Sequence, residues 1–167
     1  MLNNILDYVS TKTISIIGEF SIWWGQFELI VFQNNLKTCD LIKWSNSIEL
    51  DNTNINELCN DIRNRAVDFL TNINDCTIRD KLYSEKNNGN STQRKLILDF
   101  LSNKSDNQFA GCMLFIERIR NNLFHGLKDI YSFNNQSEIF ISINSLFKYL
   151  VNGLLNGEID RLFEQDK

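Results

Sequence analysis

Apolar residues recur at helical spacing along most of this chain, and no stretch alternates convincingly in the two-residue rhythm of a strand. From Thr13 to Asn35, Ile16, Ile17, Phe20, Trp23, Trp24, Phe27, Ile30 and Val31 fall on one wide face at steps of three and four. A shorter helix is expected in CDLIKWSNSIEL, before the polar break DNTN. Leu58, Ile62, Arg65-Ala66 and Phe69-Leu70 then supply the stripe of a helix from Ile55 to Thr71, with Asn54 or Asn56 as its cap. TIRDKLYSEK predicts a short amphipathic helix, closed by the soft loop NNGNS. Ser91 or Thr92 is expected to cap a helix through Leu101, with Leu96, Ile97, Phe100 and Leu101 inward. After the spacer SNKSDN, the segment QFAGCMLFIERIRNNLFHG places Phe109, Cys112, Met113, Ile116, Ile119 and Leu123 at helical spacing, with Gly126 as its natural terminator. A loop, YSFNNQS, leads to a last long helix from Glu138 to Phe163, in which Gly153 and Gly157 are weak points. The expectation is an all-α bundle with short connections, formed as a single domain over residues 1–167.

Composition supports that picture and narrows the chemistry. The chain has no proline and only seven glycines, which removes the commonest helix breakers. A net charge of −4 and a pI near 5.0 exclude a strongly basic nucleic-acid coat, while leaving room for a local phosphate site built from a few donors. Cys39, Cys59, Cys76 and Cys112 show no metal-ligand spacing, and with one histidine in the chain no zinc site is expected. They read as small thiols, buried or half-buried, in a reducing compartment. No basic segment followed by an apolar core opens the sequence, and Glu19, Gln26 and Glu28 interrupt its most apolar stretch. A cytoplasmic protein with no membrane span is therefore expected.

The only histidine, His125, stands in RNNLFHGLK, five residues after Arg120. On an ideal helix the two side chains lie roughly 140° apart, whereas Asn121 and His125, four apart, share a face. Glu117, three residues before Arg120, is placed to hold the guanidinium by a local ion pair. If the helix ends at His125, its unsatisfied carbonyls and negative dipole end favour imidazolium. A guanidinium and an imidazole at one mouth suit phosphodiester cleavage. The first grips a phosphate through two parallel hydrogen bonds, and the second moves a proton to or from the 2′-OH or the departing 5′-oxygen. RNA carries its own nucleophile, so the reaction needs no metal or cofactor. It benefits from both a base and an acid, and a two-fold dimer would bring two histidines to one cleft. The plain structural reading makes His125 a helix cap and Arg120 a surface ion-pair partner.

RNNLFHG at the end of an apolar helix, in an all-α chain of this size, resembles the HEPN superfamily (higher eukaryotes and prokaryotes nucleotide-binding). The superfamily signature is an arginine, a spacer of four to six residues and a histidine, very often with a polar residue directly after the arginine. Arg120, His125 and Asn121 occupy those positions here. The likeness is closest to small standalone HEPN proteins of bacterial defence and toxin loci, including the Apea-like and plasmid-borne groups. It covers Phe109 to Lys128, and elsewhere only helical character agrees. The resemblance implies a dimeric helical bundle with a metal-independent endoribonuclease site, leaving 2′,3′-cyclic phosphate and 5′-OH ends. Arg120 would bind the scissile phosphate, His125 would transfer the proton and Asn121 would orient the motif or the RNA, with Asn122 as its neighbour. Such a toxin or antiphage effector would have an antitoxin or defence-system protein as partner. One variant of the superfamily has a tyrosine two residues after the histidine that accepts nucleotide modification; this chain has Leu127 there, with Tyr131 nearby. The alternative function is a non-catalytic HEPN-fold module that dimerises or holds a protein or nucleotide.

Other residues invite functional readings of their own. Trp23 and Trp24 with Phe27 can stack RNA bases, but at helical spacing among apolar neighbours they read as core or dimer interface. Glu28 is left with two readings, a partner for Arg120 or a solvated carboxylate. Arg63, Arg65, Arg79 and Lys81 are interleaved with acidic residues, which points to a charge-balanced solvated face rather than an RNA path.

Overall fold

The computed structural model describes residues 9–48, 53–72, 91–104, 107–124 and 133–160. Among the described residues there are six helices and no strand. They are α1 (Thr11–Phe32), α2 (Thr38–Ser47), α3 (Thr53–Asn72), α4 (Ser91–Leu101), α5 (Gln108–Phe124) and α6 (Phe133–Asn156). The all-α expectation holds. The helices gather into two compact units, one holding α1, α2 and α6 and the other α3, α4 and α5. No helix among the described residues is long and apolar enough to cross a membrane.

In the first unit α1 packs along α6. Of the apolar face read from the sequence, Phe20, Trp24, Phe27 and Val31 are buried, with Phe32 beside them, while Ile16, Ile17, Trp23 and Ile30 are half-buried. Phe20 meets Phe140 at a ring-centroid distance of 5.2 Å, and Phe27 meets Phe147 edge-on at 5.2 Å. Trp44 of α2 closes the cluster 5.0 Å from Phe27. Tilted and edge-on aromatic contacts of this kind contribute beyond the area they bury. Asn144 of α6 donates Nδ2–H to the Ile16 carbonyl, 3.0 Å away, tying the two long helices through a buried amide.

Helix ends depart from the sequence reading in instructive ways. The chain enters α1 earlier than Thr13: Ser10 caps it, and its Oγ accepts from the Thr13 amide at 3.1 Å. At the other end Gln33 and Asn34 both take left-handed φ, 53° and 63°, and their amides return to carbonyls of the last turn, so α1 stops short of Asn35. Asn54 and Asn56, read as caps, lie inside the first turns of α3, and Ser91 and Thr92 lie inside α4. The loop expected in YSFNNQS is the first turn of α6 from Phe133 onward, where the Asn134 side chain accepts from the Ser10 amide at 3.0 Å. α6 does not continue to Phe163. Gly157 adopts φ +74°, the amides of Glu158 and Ile159 turn back to the Gly153 carbonyl, and the helix ends at Asn156. The expected helix TIRDKLYSEK lies outside the described residues, as does Gly126.

In the second unit α5 packs against α4 and α3. A Cβ at Gly111 would stand 2.6 Å from both the Leu96 carbonyl oxygen and Phe100 Cβ, so glycine permits the close approach of α4 to α5. Ile55, Cys59, Ile62 and Ala66 line the buried side of α3. Ile97 and Phe100 are buried on α4, while Leu96 and Leu101 are half-buried. Of the cysteines, Cys59 and Cys112 are buried, Cys39 is exposed, and Cys76 lies outside the described residues.

Phe27→Ala should cost about 3–5 kcal/mol, because the ring sits at zero exposure among four other aromatic residues and the void cannot collapse freely. Urea unfolding of the variant measures this. Burial pushes the Cys112 thiol up, with a hydrogen bond to Cys59 adding to the effect. The folded chain therefore keeps a proton that the unfolded chain releases above about pH 8.5. This contribution is fully present below that pH and lost as pH rises above it. Unfolding midpoints between pH 7.5 and 9.5 should fall more for the wild type than for Cys112→Ala.

Candidate functional site

α5 carries Arg120 and Asn121 in its last turns. From Phe109 to Ile116 every residue of this helix is buried, and burial relaxes to half at Glu117 and Arg118. Ile119 turns inward again at 7% exposure, whereas Arg120, Asn121 and Leu123 are half-buried. Polar side chains thus enter the helix where its surroundings thin out. A guanidinium there keeps its stem against apolar neighbours and its donors near water.

The Arg120 guanidinium donates through one Nη to Asn121 Oδ1 at 3.0 Å. Its Nε lies deep enough to be shielded from solvent. This places the arginine and the polar residue that follows it in one hydrogen-bonded unit, the pair that the sequence singled out. A charge-assisted bond to a neighbouring amide restricts the guanidinium plane, and a fixed plane can present two parallel N–H groups to a phosphate. Glu117 sits half-buried three residues before Arg120 on the same helix. His125 lies outside the described residues, and so does the side chain of Asn122, although Asn122 itself is within α5. Leu127 and Tyr131 lie outside them too.

The remaining candidates resolve differently. Trp24 is buried at 3% exposure within the aromatic cluster, whereas Trp23 is half-buried and donates Nε1–H to Glu19 at 3.2 Å. The adjacent tryptophans therefore have different roles, and Trp24 and Phe27 are core residues, not a stacking platform. Glu28 accepts from Trp24 Nε1 at 2.9 Å, one turn along its own helix, an arrangement neither sequence reading of this carboxylate included. Arg65 pairs with Asp61 at 3.2 Å, as a charge-balanced face requires. Arg63 instead reaches from α3 to Asn103 at 2.7 Å and Gln108 at 3.2 Å, clasping the α4–α5 connection. Arg79 and Lys81 lie outside the described residues. No group of three or more His, Cys, Asp or Glu side chains able to hold a metal occurs among the described residues.

Sequence reasoning missed the Arg63 clasp. Its signal was weak: Arg63, Asn103 and Gln108 are far apart in sequence, and only packing of α3 on α5 brings them together. No family model matches the chain, and comparison with curated proteins and with solved structures finds no match.

Asn121→Ala removes one hydrogen bond from a half-buried site, so its stability cost should be about 1 kcal/mol. A denaturation midpoint far below that of the wild type would show that Asn121 serves the fold rather than the guanidinium.

Proposed function

We propose that this chain is a HEPN-type, metal-independent endoribonuclease that acts as a toxin or antiphage effector, with its site composed from two copies. The observation that carries the reading is the Arg120–Asn121 hydrogen bond at the half-buried end of α5, five residues before the only histidine. An arginine in that setting is both oriented and reachable, which phosphate recognition demands.

In the proposed reaction Arg120 binds the non-bridging oxygens of the scissile phosphate and stabilises the charge that builds on them. One His125 removes the proton of the 2′-OH, whose oxygen attacks the adjacent phosphorus. The second His125, from the other copy, donates a proton to the departing 5′-oxygen. The products are a 2′,3′-cyclic phosphate and a 5′-OH end, and the proton balance closes between the two imidazoles. Asn121 orients the guanidinium, with Asn122 and Glu117 as supporting residues on the same helix. One histidine per chain supports a homodimer, since a single imidazole would have to supply both the base and the acid. A toxin of this kind would be restrained in the cytoplasm by an antitoxin or a defence-system partner.

Purified protein should cleave single-stranded RNA in EDTA, and Arg120→Ala or His125→Ala should lower the rate by at least about a hundredfold while leaving the circular dichroism unchanged. Mixing the two inactive variants probes the composite site, because heterodimers recover only what a shared cleft allows. Full activity in His125→Ala, free of contaminating nuclease, would remove the histidine from the mechanism. RNA or protein binding without any cleavage would point to the non-catalytic module.

A further inference from the structure

α1 is apolar on two faces, and the fold buries only one of them. On a helical wheel Ile14, Gly18, Ile22, Gly25 and Leu29 share a strip roughly 80° wide, on the side opposite Phe20, Phe27 and Val31. The charged residues of α1, Lys12, Glu19 and Glu28, all fall outside that strip. Its five positions are open to solvent, with Ile22 at 66% exposure, Leu29 at 47% and Ile14 at 40%. A Cβ at Gly18 or Gly25 would meet nothing within 4 Å. Large and small residues alternate along the strip, which makes it a row of knobs and notches. An exposed apolar strip on a helix whose other face is already core calls for a partner.

We propose that this strip is a contact between two copies of the chain, with α1 packed antiparallel on the partner's α1 about a two-fold axis between Ile22 and Gly25. Shape and charge select that arrangement. A parallel pair would stack Ile22 on the partner's Ile22 and Leu29 on the partner's Leu29, leaving the glycine notches unfilled. In the antiparallel register Ile22 enters the notch at the partner's Gly25, and Leu29 enters the notch at the partner's Gly18. One flank then sets the Glu19 carboxylate against the amide of the partner's Gln26, and Lys12 against the partner's Gln33. The other flank sets Glu28 against the hydroxyl of the partner's Ser21. Every charge thus meets a neutral group able to bond it. Sliding the pair until Ile22 meets the partner's Gly18 would bring Glu19 onto the partner's Glu19, where like charges repel. The favoured overlap spans residues 15–32, about 27 Å of helix, and buries on the order of 500 Å², less than the roughly 1,200 Å² of a lasting interface. The contact is therefore a reversible one. It stands on α1 alone; its use in cleavage rests on the two-copy ribonuclease reading.

Sedimentation velocity on the full-length chain without RNA, from about 1 to about 200 µM, should show a monomer–dimer equilibrium. Ile22→Lys puts a charge into the partner's notch and should weaken association at least about tenfold. Gly25→Leu fills the notch and should act in the same direction. Both positions are open in the single chain, so neither variant should lose helix content by circular dichroism. Gln26→Lys faces the partner's Glu19 and should tighten the dimer roughly threefold at low salt, a gain that a parallel pair does not give. A chain that stays monomeric throughout, a dimer indifferent to Ile22→Lys and Gly25→Leu, or an unchanged or looser dimer for Gln26→Lys would each overturn the proposal. An Ile22→Lys protein that is monomeric yet still cuts RNA supports this contact and tells against the two-copy cleavage site, so the two readings fail separately.

Discussion

Everything specific about the second unit follows from how completely α5 is enclosed. Through residues 109–116 this helix is buried around its whole circumference, so it must be apolar or small at every position there. A helix apolar all round cannot bear charge until its surroundings open, and the first charged residue of α5 is Glu117. The change from buried to half-buried thus sets where Glu117, Arg118, Arg120 and Asn121 can stand. Gly111 is the small residue that lets the backbone of α4 approach so closely.

The first unit shows the same economy by other means. Its core is a run of aromatic rings from α1, α2 and α6 that meet edge-on or tilted, with Phe27 touching Trp24, Phe32, Trp44 and Phe147. Polar groups inside have specific partners, as where buried Thr13 bonds the cap residue Ser10 and Asn144 holds the Ile16 carbonyl. The asparagine-rich composition has a structural use. In a chain without proline and with few glycines, Asn34 and Asn103 supply left-handed residues just beyond helix ends.

The proposed chemistry needs little from this scaffold. It needs a guanidinium with a fixed plane, a histidine close by in sequence, and a second copy to supply the complementary proton transfer. Toward the first of these, Arg120 donates to Asn121 at the half-buried end of α5. Placing a charged group where burial ends joins two requirements that usually conflict, since a firmly held side chain tends to be inaccessible and an accessible one tends to be mobile.

The sequence by itself determined the helical class, and it marked Phe20, Trp24, Phe27 and Val31 of α1 and Phe109, Cys112, Met113, Ile116 and Ile119 of α5 as inward positions. These depend on residues at most a few positions apart, where periodicity and local hydrogen bonds govern. Tertiary packing decided the rest. It separated Trp23 from Trp24, burying one ring in the aromatic cluster and leaving the other half-buried. It also drew Arg63 across to Asn103 and Gln108. Helix ends belong partly to both, since Gly157 is a weak point in the sequence, but the helix stops there because Ile159 returns onto Gly153. The physical reason is range. Helical order is written in neighbours along the chain, while the partners of a buried polar group or thiol are chosen by which faces come together across it.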